Sequence, residues 1–170
     1  HFFAFSVTVK GLMGGHSGDD IDKRRGNANK MLNRILWNMH KDLDLHLVKI
    51  DGGNLRNAIP REASAVACVP FVHKEKVRVI FNEVAAELED ENAAIETNMR
   101  IELHSEEIPD RVMTRRSTSK ILNALYACPH GIKAMSPDMA GLVETSTNLA
   151  SVKMPDDKKL VITTSQRSSV

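Results

Sequence analysis

The spacing of apolar residues constrains the fold of this chain more than any other feature. A first segment alternates apolar with smaller or polar side chains, and its apolar members are Phe3, Phe5, Val7 and Val9. This period of two predicts a half-buried strand. Residues 26–43 and 73–92 instead carry apolar side chains at helical spacing, which predicts two amphipathic helices.

Three further strands are predicted from short apolar or alternating runs, at residues 45–50, 63–69 and 99–103. Pro70 follows the second of them and cannot continue an interior strand. The resulting order is strand, helix, strand, strand, helix, strand. This order predicts an α+β, ferredoxin-like fold (β-α-β-β-α-β), with a four-stranded antiparallel sheet and both helices on one face.

The remaining third of the chain is predicted to extend this unit. Residues 117–127 have the pattern of a third helix, which Pro129 and Gly131 end. Residues 143–152 and 160–167 are predicted to form a strand pair, joined by a turn at residues 154–158. We therefore expect one domain over residues 1–170.

Composition excludes several classes of protein. With 42% hydrophobic and 26% charged residues, the chain has the profile of a folded domain. A net charge of +1 gives no reason to expect a nucleic acid or a membrane as partner. Cys68 lies in an apolar strand-like run, so a buried free thiol is favoured over a ligand or a disulfide. Free thiols favour a reducing, cytoplasmic compartment.

Both ends of the chain fall within strand-like segments. It opens on His1 without a methionine and stops at Val170, beyond a segment that still alternates. Because natural proteins rarely begin and end inside an element, we expect a piece excised from a larger protein.

A glycine-rich loop, residues 10–18 with the sequence KGLMGGHSG, is the first candidate site. Its glycines permit unusual backbone angles and would present His16 and Ser17. The loop lacks the spacing of a phosphate-binding loop. Adjacent residues seldom form a nucleophilic pair, and no nucleophile elbow surrounds Ser17, which disfavours a serine hydrolase. The residues alone also fit a simple strand-to-helix turn.

Three other polar residues are candidates for substrate binding. Asn57 lies in the Gly- and Pro-flanked residues 52–60 and could bind a carboxylate or amide, or cap its own turn. Arg167, near the end of the last strand, is of the type that captures carboxylates, although most lone arginines are solvated. Asn148 has the same ambiguity.

No metal site is recognisable in the sequence. The seven histidines are scattered and form none of the usual zinc-binding spacings. Three acidic residues follow His16, at Asp19, Asp20 and Asp22, but acids in a polar turn usually face solvent. We therefore expect no metal ion to be bound by this chain.

Four motifs, taken together and in order, resemble one protein family. They are residues 10–18 with RGNANK (25–30), GNLRNAIPREA (53–63), GLVETSTNL (141–149) and QRSS (166–169). This set is similar to the lid domain of the bacterial aminoacyl-histidine dipeptidases, also called Xaa-His dipeptidases or peptidase D.

The resemblance implies a part of an enzyme rather than an active enzyme. Family members carry two zinc ions and a general-base glutamate in a catalytic domain that this chain lacks, and their lids mediate dimerisation. His16 is then expected to stabilise the oxyanion, in many relatives within the partner subunit's active site. Asn57 and Arg167 are expected to hold the carboxylate of a dipeptide substrate, and Asn148 to contribute to substrate binding.

Two alternatives remain open from the sequence. A stand-alone ferredoxin-like domain could bind a small ligand as a regulator. The chain could also be the lid of a related zinc tripeptidase or deacylase, since the substrate side-chain pocket would be built largely by residues outside it.

Overall fold

The computed structural model describes residues 1–170, which form nine strands and three α-helices. The helices are α1 (Ala28–Leu43), α2 (Lys74–Asn92) and α3 (Arg115–Ala127). The strands are β1 (Phe2–Lys10), β2 (Gly15–His16), β3 (His46–Gly52), β4 (Ala58–Ile59), β5 (Ala63–Pro70), β6 (Arg100–Glu106), β7 (Gly131–Met135), β8 (Val143–Asp156) and β9 (Lys159–Ser168).

The predicted ferredoxin-like unit is confirmed. Its four strands are ordered β6-β1-β5-β3, and all neighbours are antiparallel. In the central strand β1, Val7 pairs with Ala65 on one side and with Leu103 on the other. Strands β7, β8 and β9 then enlarge this sheet and α3 packs against α1, so the last third of the chain extends the unit as predicted.

The long strand β8 joins the extension to the ferredoxin-like unit. It pairs with β3 at Gly52 and Val152, with β7 over its first residues and with β9 over most of its length. The β8–β9 turn is shorter than predicted, because only residues 157–158 lie outside the strands. Asp156 Oδ1 accepts a hydrogen bond from the Lys158 N–H at 2.8 Å, which stabilises this tight connection.

The core lies between the helices and the sheet. All apolar residues predicted for the inner face of α1 are buried, namely Ala28, Met31, Leu32, Ile35, Leu36, Met39 and Leu43. Asn27 caps this helix, since its side chain accepts from the backbone N–H groups of Asn29 and Lys30. Few aromatics are needed, because 28 buried and mostly aliphatic residues form one continuous cluster.

Both cysteines are free, and Cys68 is buried as predicted. None of the helices combines the length and the apolar character needed to cross a membrane. The sequence patterns did not indicate β2, β4 or β7. Two of these, β2 and β4, build the candidate site.

Candidate functional site

Two loops of the ferredoxin-like unit meet to form a cleft at one end of the sheet. The short strands β2 and β4 pair His16 with Ala58 and Gly15 with Ile59. Next to this ladder, the Ser17 N–H donates to the Asn57 carbonyl at 2.8 Å. The cleft beside the paired loops has a volume of about 710 Å³, and both His16 and Asn57 line it.

Backbone hydrogen bonds fix the orientation and the tautomer of His16. Its Nδ1 accepts from the N–H of Gly18 at 3.0 Å and from that of Asp19 at 3.2 Å. A neutral imidazole that accepts at Nδ1 carries its proton on Nε2. The His16 side chain is 41% exposed. The loop therefore presents a ring with an Nε2–H hydrogen-bond donor.

Asp20 anchors the loop, contrary to the expectation that the acidic residues after His16 face solvent. One carboxylate oxygen accepts from the His16 N–H at 2.8 Å and lies 3.5 Å from Arg25, while the other binds Lys23 at 2.7 Å. Arg25 in turn donates to the Gly14 carbonyl. The hydrogen bonds from Lys23 and from the His16 N–H lower the pKa of Asp20, so the anchor remains ionised.

Asn148 lies beneath the second loop of the cleft, residues 53–62, which connects β3 to β5. It is 1% exposed, and its amide donates to the carbonyls of Ala58 at 2.9 Å and Arg56 at 3.4 Å. These two bonds bracket Asn57, whose residue is exposed beside the cleft. Asn148 thus contacts the backbone on both sides of Asn57 instead of lining the cleft.

Arg167 reaches the glycine-rich loop from strand β9, where it pairs with Ser146. Its guanidinium group packs against Gly18 and occupies the space that a β-carbon there would take. The residue is exposed, and the guanidinium forms no ion pair within the chain. A free guanidinium next to the His16 loop is suited to binding a carboxylate in two hydrogen bonds.

The structure brings the four sequence-predicted residues together. His16, Asn57 and Arg167 each belong to or contact the segment 16–18, and Asn148 supports Asn57 from below. The exposed groups are an imidazole N–H, an amide and a guanidinium, which suit a ligand with a carbonyl and a carboxylate. Ser17 is buried, with 8% exposure, and is not presented as a nucleophile.

The residues of this chain do not fit a zinc ion. No three His, Cys, Asp or Glu side chains come together as potential ligands. The nearest candidates are already engaged, because His16 Nδ1 accepts two backbone N–H groups and Asp20 binds Lys23 and Arg25. A zinc site needs several such side chains around one point.

Comparison with known proteins finds similarity to peptidases. The family model described as "Peptidase dimerisation domain" matches residues 7–96. The cytosol non-specific dipeptidase of Escherichia coli K12 is 38% identical over 92% of this chain. The crystal structure of an aminoacylhistidine dipeptidase from Vibrio alginolyticus superposes with a TM-score of 0.94 over 99% of the chain, at 37% identity.

Both relatives are much longer than this chain, which spans 32% of the first and 34% of the second. The superposition nevertheless includes the extension of β7, β8 and β9 as well as the ferredoxin-like unit. From the family match and the shared architecture, the chain belongs to the peptidase dimerisation domain family and resembles the form found in dipeptidases.

Proposed function

We propose that this chain is the lid and dimerisation domain of a dipeptidase that hydrolyses Xaa-His dipeptides. The names of the two relatives, both dipeptidases, support the reaction class. The two zinc ions and the general base would belong to a catalytic domain outside this chain, since its own residues do not fit a zinc ion. The isolated chain is then inactive.

The observation that most directly supports the role of His16 is that its Nδ1 accepts hydrogen bonds from two backbone N–H groups. This arrangement holds Nε2–H ready to donate. When the lid closes on the catalytic domain, that N–H would bind the oxygen on which negative charge develops as water attacks the scissile carbonyl. Removal of one such donor typically costs about 100- to 1000-fold in rate.

Asn57 and Arg167 would bind the terminal carboxylate of the substrate. Both are exposed and contact the loop that carries His16, so the oxyanion donor and the carboxylate site lie next to each other. A longer peptide would carry its carboxylate beyond these two residues, which explains a preference for dipeptides. Asn148 would act indirectly, by holding the backbone on either side of Asn57.

The proposed partners are the catalytic domain of the same protein and a second copy of the protein. The family description supports dimerisation, and in such a dimer His16 would serve its own or the partner subunit's active site. The name of the Escherichia coli relative supports a cytoplasmic location.

The test compares the full-length, zinc-loaded parent protein with its His16→Ala variant, using β-alanyl-histidine and a panel of other dipeptides. We expect kcat to fall about 100-fold or more while zinc content and folding persist. The matched control is His104→Ala, which removes an exposed histidine that binds Glu102 on the opposite edge strand β6. An unchanged kcat in His16→Ala would refute the oxyanion role.

A broader dipeptidase is the second candidate function, because the relative from Escherichia coli is named non-specific. The same panel separates the two. Cleavage confined to dipeptides with a C-terminal histidine supports the narrower assignment, whereas comparable kcat/KM values across the panel support the broader one. Tripeptides and acylated amino acids are assayed beside the panel, and their cleavage in preference to dipeptides would contradict both.

A further inference from the structure

We infer that Gly18 is a positioning residue that sets the distance between the His16 imidazole and the Arg167 guanidinium. The inference rests on the proposed function, in which these groups bind the two ends of a dipeptide. The Gly18 N–H binds the His16 ring, and the Arg167 guanidinium occupies the space where a β-carbon of residue 18 would lie.

The contact with Arg167 depends on the absence of a β-carbon. A β-carbon built on Gly18 would overlap the Arg167 side chain at Nη1, with Cζ at 2.5 Å and Nε at 3.1 Å. The backbone does not require glycine here, because Gly18 is not among the residues with positive φ. The arginine side chain is therefore the obstacle to an alanine at this position.

The contact with His16 uses the Gly18 backbone. Its N–H donates to His16 Nδ1 at 3.0 Å and helps to keep the proton of the ring on Nε2. An alanine retains this N–H. Substitution should consequently move the guanidinium and leave the imidazole in place, which separates carboxylate binding from oxyanion stabilisation.

This geometry gives Gly18 a part in setting the distance between the oxyanion donor and the carboxylate site. The segment 16–18 is fixed by Asp20 at the His16 N–H and by Asn57 at the Ser17 N–H. With the segment fixed, the position of the guanidinium depends on how closely it packs on Gly18. A β-carbon would displace it, and the carboxylate site would no longer match the length of a dipeptide.

The predicted consequence is a selective loss of substrate affinity. Arg167 ends in a flexible side chain that can move aside, so we expect Gly18→Ala to fold. The displaced guanidinium should lose much of a charge-assisted interaction, which corresponds to a rise in KM of roughly 10- to 100-fold. Because His16 keeps its tautomer, kcat should change much less than KM.

The experiment is a double-mutant cycle in the full-length, zinc-loaded parent protein with Gly18→Ala, Arg167→Ala and the double variant. Each is assayed with a dipeptide and with the same dipeptide as its C-terminal amide, which lacks the carboxylate. The matched control is Gly26→Ala, where the new β-carbon meets the flexible end of Met31 instead of a site residue. We expect this control to retain the wild-type KM.

The expected result is a raised KM for the dipeptide in Gly18→Ala, a double variant whose KM equals that of Arg167→Ala alone, and little effect on the amide. If Gly18→Ala unfolds, Arg167→Ala should restore the melting temperature in the double variant, because it empties the contested space. If Gly18→Ala raises KM by the same factor in the wild-type and in the Arg167→Ala background, the inference about Gly18 is overturned and the proposed carboxylate site is not. An unchanged KM in Arg167→Ala would overturn the proposed carboxylate site and, with it, the inference about Gly18.

Discussion

His130 should make the domain less stable in mild acid than at neutral pH. This residue lies just before β7, and its Nδ1 accepts from Asn27 Nδ2 at 3.0 Å and from the Leu149 N–H at 3.3 Å. Protonation would place an N–H opposite two donors. Burial, with a smaller contribution from the charge of Lys30, lowers the pKa of His130 to about 4.

The size of the effect follows from the two pKa values. In the unfolded chain the imidazole has its ordinary pKa near 6.5, so between pH 6.5 and pH 4 the unfolded state binds more protons than the folded one. The free energy of unfolding must fall as the pH falls through this window. Between pH 7 and pH 5 the loss amounts to about 2 kcal/mol.

The assay is urea denaturation of the chain at pH 7, 6 and 5, followed by circular dichroism. The matched variant is His130→Asn, whose side-chain oxygen can accept the same two hydrogen bonds but does not titrate near neutral pH. His40, whose pKa is also lowered by burial, contributes equally to both proteins. Equal acid destabilisation of wild type and variant would refute the reasoning.

Two further predictions concern Lys30 and the two cysteines. Lys30 Nζ donates to the carbonyls of Leu125, Tyr126 and Cys128 at 2.9, 3.0 and 2.6 Å, so Lys30→Met should lower the free energy of unfolding in urea by about 1–3 kcal/mol. Because burial raises the pKa of the Cys68 thiol, a disulfide reagent should label Cys128 first, and Cys68 only on unfolding; rapid labelling of both in the native protein would contradict this.

Elements whose apolar pattern extends over many residues could be predicted from the sequence. Helix α1 buries the predicted residues because seven apolar positions define one stripe. The strands β2 and β4 could not be predicted, since each has two residues and forms only when the two loops meet. Their pairing is a tertiary event without a local pattern.

The candidate site was predicted as a set of residues but not as an arrangement. Asp20 is one of three acids in a short turn, and only the structure shows that it alone binds the His16 N–H. Likewise, Gly18 and Arg167 lie at opposite ends of the chain, and their contact depends on how β9 pairs with β8. The His16–Asp20 spacing of four residues is a signal that could have been tested.

The extension of β7, β8 and β9 supplies half of the proposed site. The family match covers residues 7–96 and includes His16 and Asn57, whereas Asn148 and Arg167 lie beyond it. Strand β8 is held close to the second loop, where Gly53 has φ +75° and a β-carbon would meet the Ala150 carbonyl. If the proposed roles hold, the oxyanion donor His16 belongs to the ferredoxin-like unit. The guanidinium of Arg167, which limits the length of the substrate, belongs to the extension. Dipeptide specificity would then require the pairing of β8 with β9, which places Arg167 beside the ferredoxin-like unit that carries His16 and Asn57.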